Sequence, residues 1–244
     1  MKKSAIVATA ILGLCMVVSV WIGGKKFVEA RHGAKTVSVV GGCERDFDSD
    51  LIVWNISYNV LNDGMKEGYA EIKKVNTIVR DYLKQKGIAE NEIDFRSLDC
   101  NKETEYHYNN GNSYYTFLGY RLSQDVRVES NDVDKVEKIS REISELLERG
   151  INIDNNSLNY YYTKLADLKI EMLAEATENA KNRAETIAKS AGSHLGKLQT
   201  ANMGVFQITA PNSTDEDYSW GGTFNTTSKK KRASINMRLT YSVK

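Results

Sequence analysis

The stretch Val39–Val60, "VVGGCERDFDSDLIVWNISYNV", decides how this chain folds. Its second half alternates. Ile52, Trp54, Ile56, Tyr58 and Val60 fall on one side of an extended chain, and Val53, Asn55, Ser57 and Asn59 on the other. Successive side chains point to opposite faces of a strand, so this is a strand with one buried and one more polar face. The first half sets Gly41 and Gly42 after a strand that opens at Thr36–Val40. A phosphate-binding loop begins this way but needs a helix next, because the helix N-terminus makes the anion site. Another strand follows here, so the glycines are expected to turn or bulge the chain.

Working outward, Tyr69, Ile72, Val75, Val79, Tyr82 and Leu83 recur at steps of three and four, the stripe of an amphipathic helix that stops at Gly87. Residues 92–108 and 113–129 read as two long strands joined at Asn109-Asn110-Gly111-Asn112, a strong hairpin signal. Asn131 or Asp132 caps a second helix, with an inner face of Val133, Val136, Ile139, Ile143 and Leu146 or Leu147, ending at Gly150. "LKQKGIAENEIDF" and "LLERGINIDNNSLNY" are alike in order: helix end, basic residue, Gly-Ile, polar turn, strand. A strand–helix–strand unit therefore occurs twice. Lys164–Ala191 is the longest helix, its stripe passing from Leu165, Leu168 and Met172 to Ala176, Ala180, Ala184, Ile187 and Ala191. Small residues there allow close approach to a neighbouring backbone. A strand near 198–209, a polar loop holding Trp220 and Phe224, and an alternating final strand from Ile235 to Val243 complete the chain.

The 244 residues are 41% hydrophobic and 27% charged, enough for one well-buried core or two small ones. A net charge of +1 favours no nucleic-acid partner, and the one dense basic run, Lys229–Arg232, has no interleaved aromatics and reads as a solvated strand entrance. Residues 1–24 break the globular pattern. Lys2 and Lys3 precede eighteen uncharged residues, Ala5–Ile22, and Lys25-Lys26 follow. As a helix this run is about 27 Å long, close to the hydrocarbon thickness of a membrane. Its end lacks a small-x-small cleavage site, and Leu14 before Cys15 does not fit a lipoprotein signal. The reading is an uncleaved anchor over 1–24, a linker over 25–35 and a domain over 36–244. The soluble part then lies in the periplasm, single-pass from the inner membrane; the alternative is secretion after signal cleavage.

Chemistry is sparse. His32, His107 and His194 are scattered, and no metal-ligand spacing, nucleophile elbow or phosphate loop is present. Cys43 has Arg45 nearby but no histidine partner for a thiol nucleophile. Cys43 and Cys100 are either a disulfide or two free thiols. The thirteen tyrosines suit a half-wet sheet face first and a ligand platform second. Trp220 and Phe224, in a polar loop, read as a partner contact or as aromatics tucked back onto their own domain.

The opening stretch resembles the start of the SIMPL-domain family of bacterial envelope proteins: Gly41 or Gly42, Glu44, Arg45, then Asp50 and Trp54. "NAKNRAETIAKSAGSHLGKL" is similar to the family's alanine-rich helix followed by Ala-Gly-x-x-Leu-Gly, here Ala191, Gly192, Leu195 and Gly196. The resemblance implies an α+β domain with helices packed on antiparallel sheet, and export to the periplasm. Members include a periplasmic immunogenic protein and a protein linked to oxidative-stress defence, and some form ring- or channel-like oligomers. It brings no catalytic residues and no cofactor. Cys43 departs from the family, which more often has a small apolar residue there. Expected, then, is a non-catalytic, membrane-anchored homo-oligomer or partner binder, with no metal and no nucleic acid. The alternatives are a thiol-dependent redox protein using Cys43 or Cys100, and a small-ligand-binding domain.

Overall fold

The alternating strand, β2 (Leu51–Asn62), buries Ile52, Trp54, Ile56, Tyr58 and Val60 as its spacing dictates. The computed structural model describes residues 13, 16–21, 24, 35–109, 111–211 and 221–244. The anchor and linker expected over 1–35 lie mostly outside these residues. Residues 16–21 are helical, and among the described residues no helix is long and apolar enough to cross a membrane. The chain divides into two units, 1–44 with 169–206 and 234–244, and 45–168 with 207–233.

The unit containing β2 is a sheet backed by helices. β2 pairs antiparallel with both β5 (Asn112–Ser130) and β6 (Ile153–Tyr161), and β3 (Ile93–Phe95) pairs with β5, giving the order β3-β5-β2-β6. Helix α1 (Met65–Gln85) joins β2 to β3, and α2 (Val133–Glu142) with the short α3 (Glu145–Glu148) joins β5 to β6. Each connection skips one strand, so the two strand–helix–strand units interleave in the split β-α-β order of ferredoxin-like domains. The matched segments do the same work in both halves. Gly87 and Gly150 have φ of 89° and 78°, and the next residues, Ile88 and Ile151, return their N–H groups to Leu83 and Leu146. A left-handed residue is needed to close a helix this way, and only glycine adopts it without strain. Ile88 and Ile151 are then buried under the helices they end. Asp132 caps α2, accepting from the Lys135 amide at 3.2 Å. Leu146, not Leu147, faces the core, and Tyr69 of α1 points outward.

The other unit is built on β1 (Thr36–Asp48), α4 (Leu165–Ser190), β7 (Leu195–Met203) and β9 (Lys230–Val243), with sheet order β1-β9-β7. β1, α4 and β9 each contribute residues to both units, and β8 (Gln207–Thr209) pairs with β9. Gly41 and Gly42 make no turn: β1 runs straight through them. A β-carbon on Gly41 would lie 2.7 Å from the Ala180 α-carbon, and closer still to the Ala180 amide and the Ala176 carbonyl. The glycine exists because the alanine face of α4 comes down on β1. That face is Met172, Ala176, Ala180, Ala184 and Ala188, all buried at four-residue steps. Such a step overruns the 3.6-residue turn, so the stripe drifts and leaves Ile187 and Ala191 outside. β1 is a sheet edge, and α4 covers part of it: Arg183 donates to the Val40 carbonyl at 2.8 Å, and Asn179 accepts from the Gly42 amide at 3.4 Å.

Candidate functional site

β4 (Asp99–Asn109) pairs with β5 from Asp99↔Ser123 to Asn109↔Asn112, and Gly111 takes φ 85° in the turn. β2, however, reaches along β5 only to Asn62↔Tyr120. Residues 104–109 and 111–118 therefore form a two-stranded arm that, among the described residues, pairs only with itself. At its root the register shifts, and Gly119 sits at φ 134° where a β-carbon would strike the Asn62 carbonyl at 2.8 Å. The bulge at Leu118 turns the arm's faces relative to the sheet.

Alternation and register give each face its residues. One carries Tyr106 opposite Tyr115, Thr104 opposite Phe117 and Tyr108 opposite Ser113; the other carries His107 opposite Tyr114 and Glu105 opposite Thr116. The Tyr106 and Tyr115 rings are 5.2 Å apart, and His107 stacks on Tyr114 at 5.0 Å. Lys102 lies over Phe117, and Glu105 Oε2 is 3.4 Å from His107 Nε2. These pairs hold the strands together, yet Tyr106, Tyr108, Tyr114 and Tyr115 are 54–70% exposed. Phe117, Leu118 and Leu61 at the root are exposed as well. An isolated hairpin is marginal in water, and a large exposed aromatic surface marks an interaction site. The reading of the tyrosines as half-wet sheet residues holds for Tyr120, Tyr160 and Tyr161 and fails for Tyr106, Tyr108, Tyr114 and Tyr115, because there the strands outrun the sheet. The signal was in the lengths, since β5, at 19 residues, outruns its 12-residue partner β2 and pairs beyond it with β4.

The residues singled out in the sequence do structural work. Asp50 takes both the Thr163 amide and the Thr163 hydroxyl at 2.7 Å, fixing the chain between β6 and α4, while its own carbonyl accepts from Asn131. Trp54 is fully buried and donates to Asn156 at 2.7 Å, which donates in turn to the Ser140 carbonyl of α2. Glu44 is exposed and Arg45 half-buried; as neighbours in β1 they point to opposite faces. Ala191 is exposed after α4, and Gly192, at φ 70°, closes the helix. Leu195 and Gly196 enter β7, where a β-carbon on Gly196 would lie 2.9 Å from the Ser242 carbonyl.

Both cysteines are free thiols. Cys43 is buried and donates to Glu175 at 2.9 Å, whereas Cys100 is exposed on β4. Of these two thiols, Cys100 is the one presented at the surface. Phe224 is half exposed beside Ile208, its backbone held by the Asn225–Ile208 and Ile208–Thr223 hydrogen bonds; Trp220 lies outside the described residues. The basic run does open a strand, β9, but within it only Lys230 is exposed. Lys229 bridges Asp134 and Glu137, Arg232 is bidentate to Asp46 at 2.6 and 2.9 Å, and Lys231 is buried with its ammonium 2.5 Å from the Asn225 carbonyl. The Arg232 guanidinium holds the Asp46 carboxyl below its usual range. No cluster of three metal-ligating side chains occurs among the described residues.

Residues 37–240 match the family model SIMPL, described as a protein of unknown function (DUF541), and the chain belongs to that family. No curated protein matches it.

Proposed function

We propose that this member of the SIMPL family is a non-catalytic, membrane-anchored envelope protein that works by self-assembly or by binding a protein partner through the β4–β5 arm. The observation that carries the reading is the exposed aromatic ribbon of residues 104–109 and 111–118, which pairs with no other strand among the described residues. Tyrosine supplies large, stiff contact area and is enriched where interfaces concentrate their binding energy. The apolar run 5–22 supports a single-pass anchor in the inner membrane with the domain in the periplasm. A role in oxidative or envelope stress fits that placement.

The test is light scattering on detergent-solubilised full-length protein beside a Tyr106→Ser, Tyr115→Ser variant. A wild-type oligomer that falls to monomer in the variant is the expected result. A monomeric wild type at high concentration ends the self-assembly reading. Thiol chemistry is the second reading, and it rests on Cys100, the exposed thiol. Unchanged stress protection in a Cys100→Ser strain removes it.

A further inference from the structure

Where β2 stops, β5 leaves one edge of the arm open, and the sequence along it is unlike an ordinary edge. Residues 112–118 carry no charge, and all of them are exposed. Edge strands are usually guarded by charges, as the arm's other strand is: β4 holds Lys102, Glu103 and Glu105. The bulge fixes which backbone groups of the open edge are free. The Asp125 carbonyl accepts from the Arg96 amide at 2.9 Å, so between the bulge and Asp125 the odd-numbered residues of β5 turn their N–H and C=O groups toward β3 and β4. Glu103 pairs with Gly119 but Thr104 with Phe117, so Leu118 is one extra residue and the order inverts past it. Asn112, Tyr114 and Thr116 therefore bond β4, while Ser113, Tyr115 and Phe117 turn theirs to the open side. No other strand among the described residues takes them.

We infer that this edge pairs with the same edge of a second copy, antiparallel about a two-fold axis at Tyr115. The inference rests on the arm as the protein's interaction device and names its partner and register. With Tyr115 facing Tyr115, Ser113 faces Phe117 and Tyr114 faces Thr116 of the second copy, and the three outward residues of each chain exchange backbone hydrogen bonds. Identical strands paired about an axis bring a charge at that axis against its own copy, and residues 112–118 hold none. The side chains agree with the backbone. Tyr106 and Tyr115 lie 5.2 Å apart on one face of the arm, so the axis lines up four rings, these two and the same two of the second copy. Each copy supplies half of that row, which an unrelated strand does not, and an isologous two-fold contact closes on itself.

The test reads register and assembly in the full-length protein in detergent. A Tyr114→Cys chain is co-expressed with a Thr116→Cys chain, each also carrying Cys15→Ser and Cys100→Ser, and the mixture is oxidised. In the inferred register these two positions form a non-hydrogen-bonded pair with α-carbons about 4.5 Å apart, within reach of a disulfide. The mixed disulfide is expected to exceed either homodimer by about ten-fold. Equal yields, or none, overturn the register. Ser113→Pro removes an outward N–H and no bond to β4, so the arm stays and light scattering is expected to show monomer. An oligomer that survives Ser113→Pro but dissociates in Tyr106→Ser with Tyr115→Ser overturns the edge pairing and leaves the arm's binding role standing. An oligomer that survives both variants overturns the arm as well, and a monomeric wild type ends this pairing together with self-assembly.

Discussion

Gly41 on β1 lies against Ala180 on α4 so closely that a β-carbon on the glycine would sit 2.7 Å from the alanine's α-carbon. Strand and helix each gave up a side chain at the crossing. What looked like two separate motifs, a glycine pair and an alanine-rich helix, is one contact between residues 139 positions apart.

Gly41→Ala must push backbone against backbone, so it destabilises by about 1–3 kcal/mol or more. Gly42→Ala is the control. Its β-carbon would crowd the Asn236 side-chain oxygen at 2.8 Å, which can rotate away, and would meet the Ile235 carbonyl at an ordinary 3.7 Å. Urea midpoints of both variants check this; equal midpoints refute the close-approach account.

Asp50→Ala removes both acceptors from Thr163 and costs about 1.5–3 kcal/mol, the range for hydrogen bonds to a charged group. Faster hydrogen exchange at the Thr163 amide localises the loss. Asn at position 50 keeps one acceptor and falls between wild type and Ala.

Lys231→Met takes the ammonium away from the buried Asn225 carbonyl and costs about 1–3 kcal/mol for the acceptor it leaves behind. Thermal melting measures it. A melt at or above the wild-type temperature shows the lysine to be dispensable there.

Stability falls at both pH extremes through Lys86, whose ammonium bonds Glu142 and Glu145 at 2.8 Å. Those hydrogen bonds raise the Lys86 amine above its ordinary 10.5, and the Lys86 bond holds Glu142 below its ordinary 4.5. The Glu142 contribution is therefore complete above pH 4.5 and fades as pH drops through its lowered folded value. The Lys86 contribution is complete below pH 10.5 and fades as pH climbs through its raised folded value. Glu142→Gln should flatten the acid limb of a stability–pH curve; an unchanged limb assigns the acid loss to other carboxylates.

The arm is a surface device, so Tyr106→Ser with Tyr115→Ser should lower stability by no more than about 0.5–1.5 kcal/mol, the worth of one aromatic pair. A large loss in chemical denaturation would mean the ribbon belongs to the core.

Much of this was legible in the sequence because it is local. The period of two in Ile52–Val60 set β2's buried face, Asn-Gly set the hairpin, and the glycine after each helix set its end, at Gly87 as a left-handed residue. The repeated strand–helix–strand unit followed from those marks alone, and so did a cap at Asn131 or Asp132, of which the structure uses Asp132. Local signals of this kind depend on backbone stereochemistry within a few residues, which the sequence carries complete.

Tertiary structure decided whatever depends on partners distant in sequence. No spacing rule tells that Gly41 meets Ala180, that Asp50 holds Thr163, or that Lys231 is buried while Lys229 and Arg232 find carboxylates. The exposed tyrosines have the same cause: composition identifies good strand residues, but only the length of the neighbouring strand determines whether they are covered. Burial is a property of what the chain brings alongside, and that is settled when the sheet assembles.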